Sequence, residues 1–344
     1  MKLSIVIPTY NVGSYIETTL ISLVSQSKVD FEVVIVDDGS TDDTLNIVKE
    51  ILGKSATFKY KIIEKENGGV STARNIGLYQ SMGKYVMFLD GDDYVSHKLV
   101  ERIDKFLDDE NDVVCWGFNK VDTHQMDITN YFDKYRSNLK TMSGIDTLKY
   151  IIKERAMFIS VGSAAYRKST LLKYNIKYTE GCSNGEDQEF TYKFLSKVNH
   201  VLFVNEVLSY YVQRIGSISN SYDIKRFDVI NAMNRTIYYM EAKGNNKKLI
   251  DIANSIKNEF IIGSFLFNFN SCLNFIETGK SMKAKINIIY REIDKYYPKL
   301  SNEVLSIMKN YKGNNVKMKI KIRLFLFSPI VYNRLFSLKN FVDK

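Results

Sequence analysis

Three carboxylates crowd the short run Asp90-Gly91-Asp92-Asp93, which directly follows the apolar stretch 85–89. A stretch rich in Tyr, Val and Phe is typical of a buried strand. Mutual repulsion and burial would raise the pKa of at least one of these acids, whereas a divalent cation would let all three stay ionised. Such a cation is usually held by one or two carboxylates together with phosphate oxygens. The run predicts a metal site that holds a phosphate, and an acidic turn that caps the next helix is the alternative.

Short β-branched runs alternate with helical periodicity through the first 120 residues. Strands are predicted at 2–7, 31–36, 59–63, 85–89 and 112–117, with helices at 14–26, 42–52, 70–82 and 98–107. Alternation of this kind predicts an α/β fold of βαβ units, in which helices cover a mainly parallel sheet.

Polar loops follow the first four predicted strands. In open α/β sheets, ligands bind outside the carboxyl ends of the strands. Each loop taken alone also fits a turn or a helix cap. Together they predict one site that offers acceptors for a base and ribose, glycines for close backbone approach, and Arg74 for a diphosphate. The loops begin at Pro8-Thr9-Tyr10-Asn11, Asp37-Asp38-Gly39-Ser40, Asn67-Gly68-Gly69 and Asp90.

Several other classes of protein are disfavoured by motifs that the sequence does not contain. The first strand is not followed by Gly-x-Gly-x-x-Gly, which argues against a dinucleotide dehydrogenase. Gly-Lys-Ser occurs at 53–55 and 279–281, but the glycine that a P-loop carries five positions earlier is Val48 in one case and Asn274 in the other, which argues against a P-loop nucleotidase. Cys115, Cys182 and Cys272 are too widely spaced to indicate a zinc knuckle or a disulfide framework. The amino terminus lacks a signal-peptide pattern, and no run of about 18 apolar residues occurs. These features predict a cytoplasmic protein that is soluble or peripheral to a membrane.

Two polar clusters lie further along the chain. Glu186 and Asp187 open a predicted amphipathic helix, where they fit either a positioned general base or acids placed favourably by the helix dipole. Arg214, with Ser217 and Ser219, fits either a set of phosphate donors or an ordinary loop.

The order of these motifs resembles that of family 2 glycosyltransferases, bacterial enzymes with the GT-A fold. The resemblance covers about residues 1–220 and implies a Rossmann-like, mainly parallel sheet flanked by helices. It is carried by five segments: Ser4-Ile5-Val6-Ile7-Pro8-Thr9-Tyr10-Asn11, Val36-Asp37-Asp38-Gly39-Ser40-Thr41-Asp42, Asn67-Gly68-Gly69-Val70-Ser71-Thr72-Ala73-Arg74-Asn75 with Gly77, Leu89-Asp90-Gly91-Asp92-Asp93, and Gly185-Glu186-Asp187.

The resemblance also implies a role for each matching residue. Asp187 corresponds to the catalytic base, Asp92 to the principal metal ligand, and Asp90 to a contact with ribose or metal. The nucleotide base would be surrounded by Pro8, Tyr10 and Asp38, with Asp38 facing a pyrimidine ring. Gly69, Arg74 and Arg214 would lie near the diphosphate and the donor sugar.

The activity implied by the resemblance is metal-dependent, inverting transfer of a hexosyl or N-acetylhexosaminyl group. The donor would be a nucleoside-diphosphate sugar, with UDP favoured, and the acceptor a hydroxyl of a cell-surface glycan, teichoic acid or lipid-linked molecule. Mg²⁺ or Mn²⁺ would be the cofactor. A sugar nucleotidyltransferase is an alternative that would need an early basic glycine-rich loop. A nucleic-acid-binding protein is another, but the motif-rich part is slightly acidic, so no nucleic-acid partner is expected.

Charge divides the chain into two parts. Residues 221–344 hold 22 Lys+Arg and 10 Asp+Glu, whereas residues 1–220 hold 26 and 29. We therefore predict a catalytic domain at 1–220 and a helical, basic region at 221–344. The stretch 317–327 alternates cationic and apolar residues, so strand and helix both fit it. This region could contact an anionic membrane surface or a second copy of the chain, and both alternatives remain open.

Overall fold

The computed structural model describes residues 1–108, 110–129, 141–155, 159–213, 222–242, 246–276 and 279–342. The chain forms two compact units. The first comprises residues 1–182 and 186–214, and the second comprises residues 183–185 and 215–344.

The first unit contains a mixed sheet, in which the described residues form nine strands. The strand order is β3-β2-β1-β4-β8-β6-β9-β5, and β7 pairs with β6. The strands are β1 Leu3–Thr9, β2 Phe31–Asp37, β3 Lys59–Glu64, β4 Tyr85–Phe88, β5 Tyr94–Val95, β6 Val113–Val121, β7 Asp127–Thr129, β8 Ala164–Arg167 and β9 Val201–Val212.

The first four strands are all parallel to one another. Their carboxyl ends therefore lie along one edge of the sheet, and the loops that follow them meet there. β1 and β2 are buried along their whole length, as expected for parallel strands covered on both faces. The other half of the sheet contains antiparallel pairs of β8 with β4 and β6, and of β5 with β9.

Seven helices flank this sheet among the described residues of the first unit. Apolar side chains of α1 and α2, including Ile16, Leu20, Val48 and Leu52, pack in one buried cluster with β1 and β2. The helices are α1 Ile16–Val24, α2 Thr44–Ser55, α3 Val70–Gln80, α4 Leu99–Asp104, α5 Gly144–Lys149, α6 Lys168–Lys173 and α7 Glu186–Leu195.

The second unit is helical throughout its described secondary structure. Its core contains Phe227, Phe265, Phe269 and Phe325, whose rings pack mainly edge to face. Its helices are α8 Asp228–Glu241, α9 Lys247–Ser255, α10 Ile262–Phe275, α11 Met282–Tyr296, α12 Leu300–Lys309, α13 Val316–Phe327 and α14 Pro329–Val342. No helix among the described residues is long and apolar enough to cross a bilayer.

The predicted α/β fold, a mainly parallel sheet flanked by helices with a helical carboxyl-terminal region, is confirmed, and the sheet also contains antiparallel pairs. Each of the five predicted strands is present, and the fifth extends to Val121 as β6. Ser143 caps α5, which ends at Lys149, and a π-helical segment, Tyr150–Glu154, follows it. Of the two alternatives for 317–327, the structure has the helix, α13.

Gly77 lets α3 lie close against β1. A Cβ at this position would overlap the side chain of Val6, which is fully buried in β1. We expect Gly77→Ala to lower the free energy of unfolding by about 1–3 kcal/mol, because overpacking outweighs the gain in helix propensity. Urea denaturation followed by the fluorescence of the single tryptophan, Trp116 in β6, measures this change.

Gly53 provides the matched control, since it also lies inside a helix and a Cβ there would meet no atom within 4 Å. Gly53→Ala should leave stability unchanged or raise it by about 0.5–1 kcal/mol. Equal effects of the two substitutions would contradict the close packing of α3 on β1.

Candidate active site at the carboxyl edge of the sheet

A buried guanidinium lies at the centre of the candidate site. Arg74, on α3, is only 3% exposed. Its Nη2 donates a hydrogen bond to Asp90 Oδ1 at 2.7 Å, and its Nη1 donates to Glu186 Oε1 at 3.1 Å. The guanidinium carbon also lies 4.9 Å from the centroid of the Tyr178 ring. Arg74 therefore joins the acid run after β4 to the first residue of α7.

Two opposing effects act on the charge of Arg74. Burial alone would lower the pKa of the guanidinium, but the charges of Asp90 and Glu186 and the hydrogen bond with Asp90 raise it above its ordinary value. Arg74 therefore stays charged, and its charge is balanced by two carboxylates from distant parts of the sequence. Its Nε is buried and has no hydrogen-bond partner among the described residues.

Tyr178 is held beside Arg74 by the neighbouring side chain on α3. Asn75 Nδ2 donates to the Tyr178 carbonyl, and Asn75 Oδ1 accepts from the Tyr178 amide, each at 2.9 Å. The Tyr178 ring stacks on Phe190 of α7, with centroids 4.3 Å apart and planes 6° apart. Phe190 in turn packs edge to face against Phe88 of β4. These contacts fix the start of α7 relative to α3 and β4.

Asp187 follows Glu186 in the first turn of α7 and is partly buried. Burial raises the pKa of Asp187 to about 6, and the adjacent negative charge of Glu186 acts in the same direction. The amide of Gln188, which donates to Asp187 Oδ1 at 2.8 Å, and the charge of Arg74 act against this rise. A carboxylate with such a pKa is ionised at neutral pH yet more basic than an ordinary aspartate, which suits proton abstraction.

Asp38 organises the turn before α3. Its Oδ1 accepts from the Gly68 amide at 2.9 Å, and its Oδ2 accepts from the Gly69 amide at 2.7 Å. Lys65 forms a close ion pair with the same carboxylate. Gly69 begins α3 with a φ of +89°, a conformation that favours glycine. The loops after β2 and β3 are therefore joined at Asp38.

The loops after β1 and β2 are also joined. Asp37 Oδ1 accepts hydrogen bonds from Thr9 Oγ1 at 3.0 Å and from Ser40 Oγ at 2.6 Å. Pro8 is buried in β1, opposite Val36 of β2. Tyr10, just beyond the end of β1, is 50% exposed, so its ring is available at the mouth of the site.

The three acids of the run Asp90-Gly91-Asp92-Asp93 have different surroundings. Asp90 binds Arg74 and its side chain is 30% exposed. Asp93 is buried, and its Oδ1 accepts from the amide of Val212 at the end of β9, at 2.9 Å. Asp92, between them, is partly exposed. Asp93 thus anchors the loop, while Asp90 and Asp92 offer carboxylate oxygens at its surface.

Comparison with known proteins assigns the chain to a family. Residues 4–174, about half of the chain, match the family model described as "Glycosyl transferase family 2". The match includes the loops after β1, β2, β3 and β4. The chain belongs to glycosyl transferase family 2.

Curated relatives of this family 2 protein include two from Staphylococcus aureus. The poly(ribitol-phosphate) beta-N-acetylglucosaminyltransferase TarS of strain Mu50 is 31% identical over 217 residues, which cover 62% of this chain and 36% of TarS. The enzyme of the same description, TarP of strain N315, is 27% identical over 317 residues, which cover 88% of this chain and 93% of TarP. The chain therefore spans about a third of the length of TarS and nearly all of TarP.

Solved structures share the fold of this family 2 protein. S. aureus TarS 1–349 in complex with UDP-GlcNAc aligns with a TM-score of 0.62 and 23% identity, covering 87% of this chain and 92% of that chain. The mannosyltransferase PcManGT from Pyrobaculum calidifontis, in complex with GDP-Man and Mn²⁺, aligns with a TM-score of 0.54 and 14% identity, covering 91% and 88%.

A metal ion suits the acid run of this family 2 protein. GT-A enzymes commonly use divalent metals, and the PcManGT structure contains Mn²⁺. Asp90 and Asp92 offer partly exposed carboxylate oxygens, the ligand type that Mg²⁺ and Mn²⁺ prefer. Within the described ranges, no group of three or more His, Cys, Asp and Glu residues forms a complete metal site. The ligand set fits an ion that is shared between one or two carboxylates and a diphosphate.

The structure brings most of the predicted site residues of this family 2 protein to one edge of the sheet. Arg74, Asp90 and Asp187 lie in one electrostatic cluster, and Asp38 binds the turn at Gly69. Arg214, Ser217 and Ser219 lie outside the described residues.

Three contacts of the predicted site residues were not predicted from the sequence. Glu186 is a partner of Arg74, although its position alone fits a surface acid at a helix start. Tyr178 lies against the same guanidinium, and Lys65 pairs with Asp38. Glu186 was signalled by its place beside Asp187, whereas no local pattern marks Tyr178 or Lys65.

The balance of charge around Arg74 generates a stability prediction. Arg74→Gln leaves Asp90 and Glu186 without their shared cation, so we expect the free energy of unfolding to fall by about 3–5 kcal/mol. Denaturation in urea, followed by Trp116 fluorescence, measures the fall.

Arg102 supplies the control, because its ion pair with Glu206 is exposed, with side chains 46% and 41% accessible. Arg102→Gln should change stability by at most about 1 kcal/mol. A small effect of Arg74→Gln, similar to that of Arg102→Gln, would show that the buried pair does not hold the site together.

Proposed function

We propose that this protein is an inverting, metal-dependent glycosyltransferase that moves a sugar from a nucleoside-diphosphate donor to an acceptor hydroxyl. The observation that carries the proposal is the cluster in which Arg74 joins Asp90 to Glu186, beside Asp187. This cluster places a basic carboxylate beside acids that suit a metal ion, and such an ion can hold a diphosphate. Membership of glycosyl transferase family 2 supports the same activity.

Asp187 is the proposed general base. Its carboxylate takes the proton of the acceptor hydroxyl while that oxygen forms a bond to the anomeric carbon of the donor sugar. The bond between the anomeric carbon and the diphosphate oxygen breaks, and the nucleoside diphosphate leaves with the electron pair. Because attack and departure occur on opposite faces, the anomeric configuration inverts. The pKa of about 6 keeps Asp187 ionised and ready for this role at neutral pH.

The loops after β1, β2 and β3 are the proposed donor pocket. Tyr10, which is half exposed, and Pro8 would border the nucleotide base, and Asp38 would face its ring. The turn at Gly69 allows a close approach of backbone amides to the donor. Arg74 would set the charge near the diphosphate, and Arg214 would supply a further cation.

Mg²⁺ or Mn²⁺ is the proposed cofactor, held by Asp92 with Asp90. The ion, when bound, neutralises charge that develops on the departing diphosphate. Asp93 supports the arrangement by fixing the loop to β9. The same cation would reduce the repulsion among the three acids.

UDP-N-acetylglucosamine is the proposed first donor. TarS and TarP are described as N-acetylglucosaminyltransferases, and TarS has been solved with UDP-GlcNAc. A cell-surface glycan, a teichoic acid or a lipid-linked glycan is the proposed acceptor class, since TarS and TarP act on poly(ribitol-phosphate). Residues 1–220 are the proposed catalytic domain.

The second unit is the proposed contact with an anionic membrane on the cytoplasmic side. α13 exposes an apolar stripe at helical spacing, in which Val316 is 66%, Ile320 51% and Phe327 82% exposed. The exposed cations Lys317, Lys319 and Arg323 lie on the same helix. Apolar side chains beside cations suit a surface of anionic lipid headgroups. A homo-oligomer through this region is the alternative.

Replacing the proposed base should abolish transfer. We expect Asp187→Asn to lower the rate of UDP release from UDP-GlcNAc, with Mn²⁺ and poly(ribitol phosphate) acceptor, by about 10²–10⁴-fold. UDP binding, measured by calorimetry, should be retained, since the amide is similar in size. In the parent protein, kcat/KM should fall about tenfold per pH unit below pH 6, because protonation of Asp187 removes the base.

Asp30→Asn, at an exposed position of the same unit, controls for loss of a negative charge and should leave the rate unchanged. Near-normal turnover by Asp187→Asn would exclude Asp187 as the base. Absence of both UDP binding and turnover in the parent protein, with each nucleotide sugar tested, would refute the proposed function.

Substitution of the exposed Phe327 tests the proposed membrane contact. We expect the full chain to float with vesicles that contain phosphatidylglycerol, and Phe327→Ser to weaken binding about tenfold or more, since burial of a Phe side chain contributes about 1.5–3 kcal/mol. Binding should also fall as salt rises.

Phe267→Ser is the matched control, because Phe267 is 69% exposed on α10 of the same unit. Equal flotation of the parent protein and Phe327→Ser would contradict the membrane contact. A change of oligomeric mass on Phe327→Ser, without vesicle binding by the parent protein, would favour self-association instead.

A further inference from the structure

An open groove of about 680 Å³ lies in the first unit, at the sheet edge that carries β5. Residues of β5 and the segment after it, of β9, and of the turn between β6 and β7 line it. The side chains used in the argument below are Tyr94, Ser96, His97, Gln125, Met126 and Tyr210.

Two aromatic rings form the flat part of this groove. Tyr94 and Tyr210 are directly opposite one another in the antiparallel pair of β5 with β9. Their rings are stacked, with centroids 4.7 Å apart and planes 12° apart. Both side chains are partly exposed. A paired aromatic surface of this kind offers flat apolar contact that is already ordered before a ligand arrives.

The remaining described lining of the groove combines the apolar Val95 and Met126 with polar side chains, and it includes no acid, lysine or arginine. Among its described residues, Ser96, His97 and Gln125 supply a hydroxyl, an imidazole and an amide. A phosphodiester chain would call for cationic side chains instead. A pyranose ring presents an apolar face of C–H groups and an edge of hydroxyls, which matches aromatic rings beside neutral hydrogen-bonding groups.

Hydrogen bonds hold the floor of the groove in place. Thr19 Oγ1 of α1 donates to the Gly91 carbonyl at 3.0 Å, and Gln26 Nε2, two residues beyond α1, donates to the Ser96 carbonyl at 2.7 Å, so both ends of the segment 91–96 are fixed. The Ser96 amide also donates to the Leu208 carbonyl at 2.9 Å. The groove therefore has a preformed floor.

The wall of the groove is fixed as well. Asp122 Oδ1 accepts from the amides of His124 and Met126, each at 2.9 Å. Gln125 adopts a φ of +63° in this turn. The Met126 side chain is 66% exposed, so it can report on a ligand without being part of the core.

The groove adjoins the acid run of the candidate active site along the chain. Tyr94 follows Asp93 directly, and Asp93 Oδ1 accepts from the Val212 amide, two residues beyond Tyr210. Two residues of extended chain span about 7 Å, so Tyr94 begins within roughly one sugar ring of Asp92. A molecule in the groove would therefore lie near the place where the donor diphosphate is proposed to bind.

We infer that the Tyr94–Tyr210 groove is an acceptor subsite that binds a neutral pyranose ring of the glycan being extended. The inference rests on the proposed glycosyltransferase function. It adds an acceptor class, a glycan with uncharged rings, and a place on the first unit where that glycan is held.

The first test measures sugar binding to the protein without substitutions, by NMR. The full chain is labelled with ¹³C at its methionine methyl groups, and neutral tetrasaccharides of N-acetylglucosamine, glucose, mannose and galactose are added to millimolar concentration. The Met126 methyl signal, assigned through Met126→Leu, should shift in a saturable way with at least one sugar. Met82, which is 61% exposed in the same unit and does not line the groove, should not shift.

Substitution of the ring tests the basis of recognition. Tyr210→Leu should weaken sugar binding about three- to tenfold, whereas Tyr210→Phe keeps the ring and should retain binding. Tyr60→Leu is the matched control, because Tyr60 is an exposed tyrosine on β3, the strand at the other end of the sheet order. UDP binding should be unchanged in all three variants, which also confirms that each is folded.

The outcomes separate this inference from the proposed function. UDP binding without a shift of Met126 for any of the four sugars overturns the groove inference and leaves the transferase proposal standing. A shift caused by poly(ribitol phosphate) but by none of the neutral sugars also overturns it. Sugar binding in a protein that binds no nucleotide would refute the proposed transferase and, with it, the acceptor role of the groove.

Discussion

The buried charge of Arg74 is the constraint on which the site depends. A guanidinium removed from water is strongly destabilising unless carboxylates neutralise it and accept its hydrogen bonds. Asp90 and Glu186 supply this compensation from the loop after β4 and from the start of α7. Tyr178 lies against the same group. The requirement to satisfy one cation thus brings α3, the acid run and α7 together.

The sheet explains why these groups can meet. Parallel pairing of β1, β2, β3 and β4 brings the four following loops to one edge, and side chains then join the loops to one another. Asp38 binds the turn before α3, while Asp93 binds the end of β9. The chain that leaves the acid run continues into β5 and its stacked tyrosine pair. The acid run and the groove lined by Tyr94 and Tyr210 are therefore parts of one hydrogen-bonded framework.

Local patterns predicted the parallel half of the sheet because its buried strands are short β-branched runs between helices of regular periodicity. They did not predict the two-residue β5, whose existence depends on pairing with a strand far away in sequence. Local periodicity also could not decide between strand and helix for the residues of α13. Met318, Ile322 and Phe325 are buried on one side of that helix, but apolar residues occupy its exposed side as well, so neither period dominates.

The same limit applies within the site. Asp187 and Asp92 stand in recognisable motifs, whereas the partnership of Glu186 with Arg74 joins residues 112 positions apart and follows only from the fold. Fold class and motif residues were therefore within reach of the sequence, and the pairings among them were not. Tyr178 illustrates the point, since Asn75 on α3 holds its backbone in place and no local pattern marks it.

The sharing of one guanidinium by two acids has an evolutionary consequence. Asp90 and Glu186 are far apart in sequence, yet both carboxylates balance the charge of the same guanidinium. Loss of either acid by mutation changes the net charge around Arg74, and it also lowers the basicity of Asp187, whose pKa both acids raise. Homologues that replace Glu186 with a neutral residue are therefore expected to carry a compensating change near Arg74 or Asp90, so these positions should vary together or not at all.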